Sequence, residues 1–125
     1  MFQPEPNTAF RQRVWDFVRS IPCGRVVSYG QIARAVGPND GDDPHAYQRE
    51  GARWVGAALA KCPTDVPWHR VVNSRGKVTY QAAAQQQHAL LVLEGIHLTG
   101  GVVDMRQYQW LAHEDQTAPA QHSLF

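Results

Sequence analysis

Apolar residues recur at helical spacing near the start of the chain. Phe10, Val14, Phe17 and Val18 predict an amphipathic helix over residues 8–20. Ile21-Pro22-Cys23-Gly24 stops it, and Arg25-Val26-Val27 reads as a short extended piece. Ser28-Tyr29-Gly30-Gln31 has the form of a capping box, in which Ser28 caps a helix and Gln31 reaches back. That helix covers residues 29–36 and stops at Gly37 in a left-handed conformation. Residues 38–48 carry Asn39, Asp40, Gly41, Asp42, Asp43 and Pro44, all turn formers, and read as a loop. A third helix is expected over about 50–61 and must end before Pro63. Arg70-Val71-Val72 and Lys77-Val78-Thr79 flank Asn73-Ser74-Arg75-Gly76, the pattern of a hairpin with a glycine-containing loop. A helix over 82–94 ended by Gly95, and a short strand near 101–103, complete the pattern. The polar, Pro-rich residues 1–7 and residues 115–125 read as loose ends around one domain, 8–114.

The third helix has two distinct stripes. Val55, Ala58, Leu59 and Cys62 fall at i, i+3, i+4 and i+7 and make a core face. Arg53, Gly56, Ala57 and Ala60 follow the same spacing on another face. That second face is nearly bare, with one long cation leading it. A glycine in mid-helix costs about 1 kcal/mol relative to alanine, so Gly56 wants a reason. Close packing against another helix is one; a helix pressed against DNA is the other.

Composition narrows the class. At 125 residues the chain is long enough for one domain with a real core. Cys23 and Cys62 are too few for a disulfide framework, and no Cys/His spacing reads as a metal site. No apolar run reaches the roughly 18 residues of a membrane span, and the first residues lack a signal pattern. The expectation is therefore a cytoplasmic monomer without membrane, metal or cofactor. Net charge is only +1, yet residues 11–77 hold eleven of the twelve Lys/Arg against six of the eleven acids. A basic middle between acidic ends suits an anionic partner such as nucleic acid, although an ordinary mixed surface has the same totals.

Pro67-Trp68-His69-Arg70-Val71-Val72 joins these elements. With the helix-turn-helix, the small-faced helix and the hairpin, it resembles the DNA-binding domain of O6-alkylguanine-DNA alkyltransferases, and within that family the alkyltransferase-like proteins. The resemblance also rests on Ile21-Pro22-x-Gly24-x-Val26, Ser28-Tyr29-Gly30-Gln31-Ile32-Ala33, Ala52-Arg53-x-Val55-Gly56-x-Ala58, Asn73-Ser74-Arg75-Gly76, Leu93-Glu94-Gly95 and residues 105–110. It spans roughly residues 8–110. It implies a mainly α, winged-helix-like fold: a three-helix core with a small β-hairpin wing.

The resemblance also implies a role for each matching residue. The enzymes carry Pro-Cys-His-Arg and move an alkyl group onto the cysteine; here Trp68 stands at that position. A thiol beside a histidine ionises and attacks. An indole N–H does not ionise near neutral pH, so Trp68 removes the nucleophile and leaves an apolar wall. His69 and Glu94 match the pair that activates the thiol and would be its remnant. Tyr29, Trp68, Arg70, Val71 (through its backbone), Gln81 and Ala82 are expected around a flipped, alkylated guanine. An alkylated guanine pairs badly, so extruding it costs less than extruding a normal base. Arg53 matches the finger that fills the vacated stack. Ser28, Tyr29, Gly56, Ala57, Ala60, Asn73 and Arg75 complete the expected DNA contacts, with the small-faced helix in the minor groove. The implied function is non-enzymatic: the protein binds duplex DNA containing O6-alkylguanine and flags it for nucleotide excision repair proteins.

Two departures stand out. The turn between the helices is about ten residues longer than the usual three or four. Its Asp40, Asp42 and Asp43 would repel phosphate, so it is expected to point away from the DNA. Gln81-Ala82 falls where relatives carry a cationic or aromatic residue and a small hydroxyl, and glutamine makes no cation–π contact with a base. Trp54 packs under the loop or extends the DNA face. Three rival readings stay open: a residual alkyltransferase, with Cys62 as the other thiol; a winged-helix transcription factor reading the major groove; and a protein–protein adaptor.

Overall fold

The computed structural model describes residues 8–78 and 81–111; the loose ends expected at 1–7 and 115–125, and Thr79 of the expected hairpin, lie outside them. Three helices form the first half: α1 (Thr8–Arg19), α2 (Tyr29–Val36) and α3 (Pro44–Leu59). Their apolar faces meet in a core of Phe10, Val14, Val18, Ile32, Tyr47, Val55 and Ala58, all buried. Trp15 Nε1 donates to the Ala58 carbonyl at 2.8 Å and fixes α1 on α3. Trp54 belongs to this core. Its ring meets Tyr47 at 5.6 Å and Phe10 at 6.4 Å, so it packs inward from α3.

The capping box forms as the sequence predicts. Ser28 Oγ accepts from the Gln31 N–H at 3.1 Å, and Gln31 Oε1 accepts from the Ser28 N–H at 2.9 Å. Gly37 does terminate α2, but with φ 72° and ψ 169°. This is an extended, glycine-only conformation rather than the left-handed helical one expected.

The third helix starts six residues before its expected beginning. Asp43 caps it by accepting from the His45 N–H at 3.0 Å, and Pro44 occupies its first position, where a missing N–H costs nothing. The residues that read as turn formers are thus a helix start, and the loop shortens to 37–43. Arg13 of α1 pins this loop: it donates to the carbonyls of Val36 and Gly37 and to Asn39 Oδ1. Asp42 accepts from the Asn39 N–H, so two of the three loop acids do local capping.

The second half is built on short pairings. Strand β1 (Val27–Ser28) runs parallel to β2 (Val71–Val72), with Val27 opposite Val71. Successive strand residues point to opposite faces. Val27 and Val71 therefore enter the three-helix core, while Val26 and Val72 enter a second core with Leu91, Ile96 and Val103. The expected turn at 73–76 forms and is closed by the Asn73 N–H on the Lys77 carbonyl at 3.0 Å. Its flanks do not pair as a hairpin among the described residues, because β2 is taken by β1 and Lys77 bridges antiparallel to Val102. The described antiparallel hairpin is β3 (Leu98–Thr99) with β4 (Val102–Val103). Helix α4 (Ala84–Leu93), entered through a 3-10 turn at Gln81–Ala83, and α5 (Met105–Tyr108) complete the fold. No helix among the described residues is long and apolar enough to cross a membrane.

Candidate nucleic-acid interface

The outer face of α3 is the small-residue stripe. Ala52, Arg53 and Ala57 are exposed, Gly56 is half-buried, and Ala60 lies exposed just past the helix end. The Arg53 side chain is 78% exposed and bonds only Glu50, one turn back, at 2.9 Å. Such a surface pair is weak, so the guanidinium is free to leave it. Arg49 is exposed one turn earlier on the same helix.

Gly56 does not serve internal packing. A Cβ built on it would lie 3.8 Å from the Tyr29 ring, an ordinary contact. The glycine that helix packing requires is Gly51, which the sequence reading passed over. A Cβ there would meet Ala33 and Tyr47 at 3.2 Å, where α2 and α3 cross. Tyr47, also unforeseen as a site of contact, donates its hydroxyl to the Ala33 carbonyl at 2.6 Å across the same crossing.

Beyond the end of α3 a cavity of about 600 Å³ opens, lined by Tyr29, Arg53, Gly56, Cys62, Trp68 and Gln87, among others. Sites for small organic groups commonly span about 300–1,000 Å³. Trp68 begins the 3-10 turn Trp68–Arg70 that runs into β2, so the β1–β2 pairing sets its position. Tyr29 opens α2, held there by the capping box. Two walls escaped the sequence reading. Cys62, read as part of a buried helical stripe, lies past the helix end and is only half-buried. Burial still pushes its thiol up from its ordinary value, so it stays protonated near neutral pH. Gln86 and Gln87 sit in a polar run that carries no periodic signal.

Other expected pocket residues are used elsewhere. Arg70 turns away from the cavity: it meets Glu94 at 2.8 Å and donates to the Ile21 carbonyl at 2.8 Å. Val71 is buried, and its carbonyl accepts from the Gln87 amide at 2.9 Å. Ala82 is exposed in the 3-10 turn and, like Val71, is not among the walls, which reach that turn at Ala83. Gln81 begins the same turn. Ser28 is 5% exposed and spent on the cap. Asn73 Oδ1 accepts from the N–H groups of Arg75 and Lys77, which accounts for it as a turn residue, while Arg75 is exposed.

His69 and Glu94 do come together. His69 Nε2 lies 2.5 Å from Glu94 Oε2, with both side chains nearly buried. Burial alone would raise the Glu94 pKa. Hydrogen bonds from Arg70, the Gly24 N–H and His69 outweigh it and hold the carboxyl at about 2. The carboxylate is therefore ionised, and His69 Nε2 carries the donated hydrogen. Glu94 joins the Ile21–Gly24 turn, the Trp68–Arg70 turn and the end of α4. Among the described residues no group of three or more His, Cys, Asp or Glu is placed to hold a metal ion.

The geometry defines a helix-turn-helix domain with a pocket at the end of its exposed helix. The family model of the 6-O-methylguanine DNA methyltransferase DNA-binding domain matches residues 9–96, and the chain belongs to that family, with alkyltransferase-like proteins among its relatives. The DNA base-flipping protein of Escherichia coli (strain K12) is 37% identical over 110 residues, covering 85% of this chain and 78% of that protein. Alkyltransferase-like protein 1 of Schizosaccharomyces pombe is 39% identical over 94 residues, covering 71% of this chain and 78% of that protein. The crystal structure of S. pombe Atl1 in complex with damaged DNA containing O6-carboxymethylguanine superposes with a TM-score of 0.65 at 36% identity, over 88% of this chain and 98% of that one.

Proposed function

We propose that this domain, residues 8–114, binds duplex DNA as a cytoplasmic monomer, turns an O6-alkylated guanine into the cavity beside Trp68, and holds it without alkyl transfer. The observation that carries this reading is the cavity itself. It lies between the leading cation of the small-residue helix and an indole at the position where the family's enzymes carry their nucleophile. Base stacking on an aromatic side chain contributes about 1–3 kcal/mol, which serves a binder and does nothing for a transferase. A complex without turnover persists, and persistence is what would flag the lesion for nucleotide excision repair proteins.

The test is a titration of tryptophan fluorescence with two matched duplexes, one plain and one carrying O6-methylguanine. Preference for the modified duplex is expected, and Arg53→Ala is expected to weaken it by about tenfold, one hot-spot contact of roughly 1.4 kcal/mol. Equal affinity for the two duplexes overturns the reading.

Cys62 on the cavity wall keeps the residual transferase as a second reading. Label moving from O6-[³H-methyl]guanine DNA to the protein, and lost in Cys62→Ala, establishes it. No transfer is expected, because burial keeps the thiol protonated.

A further inference from the structure

Gln87 is the one polar side chain of the cavity wall that is almost fully buried, at 2% exposure. It sits in α4, and its Nε2 donates both hydrogens: one to the His69 carbonyl at 3.0 Å, the other to the Val71 carbonyl at 2.9 Å. Both partners are acceptors only, which fixes the amide nitrogen toward them. That leaves Oε1, which accepts from no donor among the described residues. A buried carbonyl oxygen without a donor costs free energy, so its place in the wall of a ligand-sized cavity calls for a donor on the ligand.

We infer that Gln87 Oε1 is the acceptor for the 2-amino group of the extruded purine, making Gln87 a specificity-determining residue of the pocket. This rests on the base-flipping reading above. Alkylation at O6 leaves N1 of guanine without its hydrogen. The 2-amino group is then the base's only N–H donor; N1, N3 and N7 are acceptors. A lone acceptor in the wall therefore selects the one donor an O6-alkylguanine retains. It favours guanine lesions over adenine, which has no 2-amino group, whatever alkyl group is attached. The arrangement also reassigns the role expected of the Val71 backbone: Gln87 covers that carbonyl and offers its own in exchange.

The experiment compares three duplexes identical except at one base: O6-methylguanine, O6-methylhypoxanthine (the same alkoxypurine without the 2-amino group) and guanine. The wild-type protein is expected to bind the first about five- to tenfold more tightly than the second, the range for one buried hydrogen bond. Gln87→Lys keeps donors for the His69 and Val71 carbonyls and removes the acceptor. It is expected to bring the ratio to near one while still preferring O6-methylguanine over guanine. A merely structural Gln87 would alter thermal stability and leave that ratio unchanged. Should Gln87→Lys unfold, Gln87→Met removes the acceptor in an uncharged side chain, and the wild-type ratio stands as a test without any variant. Equal wild-type binding of the two methylated bases, or an undiminished ratio in the variants, overturns the inference while leaving base flipping intact. Failure to prefer either methylated base over guanine overturns base flipping and this inference with it.

Discussion

Glu94 concentrates the residue-scale chemistry. A carboxyl held at about 2 in the folded chain, against 4.5 ordinarily, binds a proton more readily when unfolded. Its contribution is therefore complete above pH 4.5 and is lost as pH falls toward 2. Glu94→Gln is expected to destabilise the protein at pH 7 by on the order of 3 kcal/mol, since Arg70 and His69 lose their partner. It should also flatten the stability profile between pH 4.5 and 2, measured by urea denaturation across that range. The pair of glycines in α3 gives a second residue-scale expectation. Gly56→Ala should raise stability by up to about 1 kcal/mol, because the helix gains and the Tyr29 ring has room, yet weaken binding of modified duplex. Gly51→Ala should lower stability by about 1–3 kcal/mol by overpacking the α2–α3 crossing. Thermal melts of the two variants, opposite in sign, check both.

Among the elements, local signals were legible and long-range ones were not. The α2 start was written in four residues, Ser28 to Gln31, and forms as read. The start of α3 was misread because Asp43-Pro44 fits a turn and a helix cap equally well, and the next two turns lack an apolar stripe beyond Tyr47. That tyrosine then ties α3 to the Ala33 carbonyl. Tyr47→Phe is expected to cost about 1 kcal/mol, by chemical denaturation, with the core otherwise filled. The strands are two residues each, too short for any period, so nothing local announces that β2 pairs with β1 rather than across the Asn73–Lys77 turn. The site divides the same way. Tyr29, Arg53, Gly56 and Trp68 were legible because each stands in a motif, and all four border the cavity. Cys62 and Gln87 were not, since only the meeting of the α3 end with α4 makes them walls.

At the scale of the molecule, two cores share one thin sheet, and the junctions between them bear the load of the fold. Gly76 is such a junction. It has φ +85°, its carbonyl accepts from the Val103 N–H at 2.9 Å, and a Cβ on it would fall on the Val103 carbonyl. Gly76→Ala is expected to cost about 2–3 kcal/mol of strain, and hydrogen exchange should show β4 and the second core loosened more than α1–α3. The other junction is Gln31. Besides closing the cap, it donates to the Trp110 carbonyl at 2.8 Å and accepts from Gln109 at 2.6 Å. A residue near the first quarter of the polypeptide is thus completed by the last described ones. On a translating ribosome, α2 and the aromatic ring it aims at the cavity would stay unlatched until residue 110 cleared the exit tunnel, so a nascent chain has its groove before it has a finished hand to grip with.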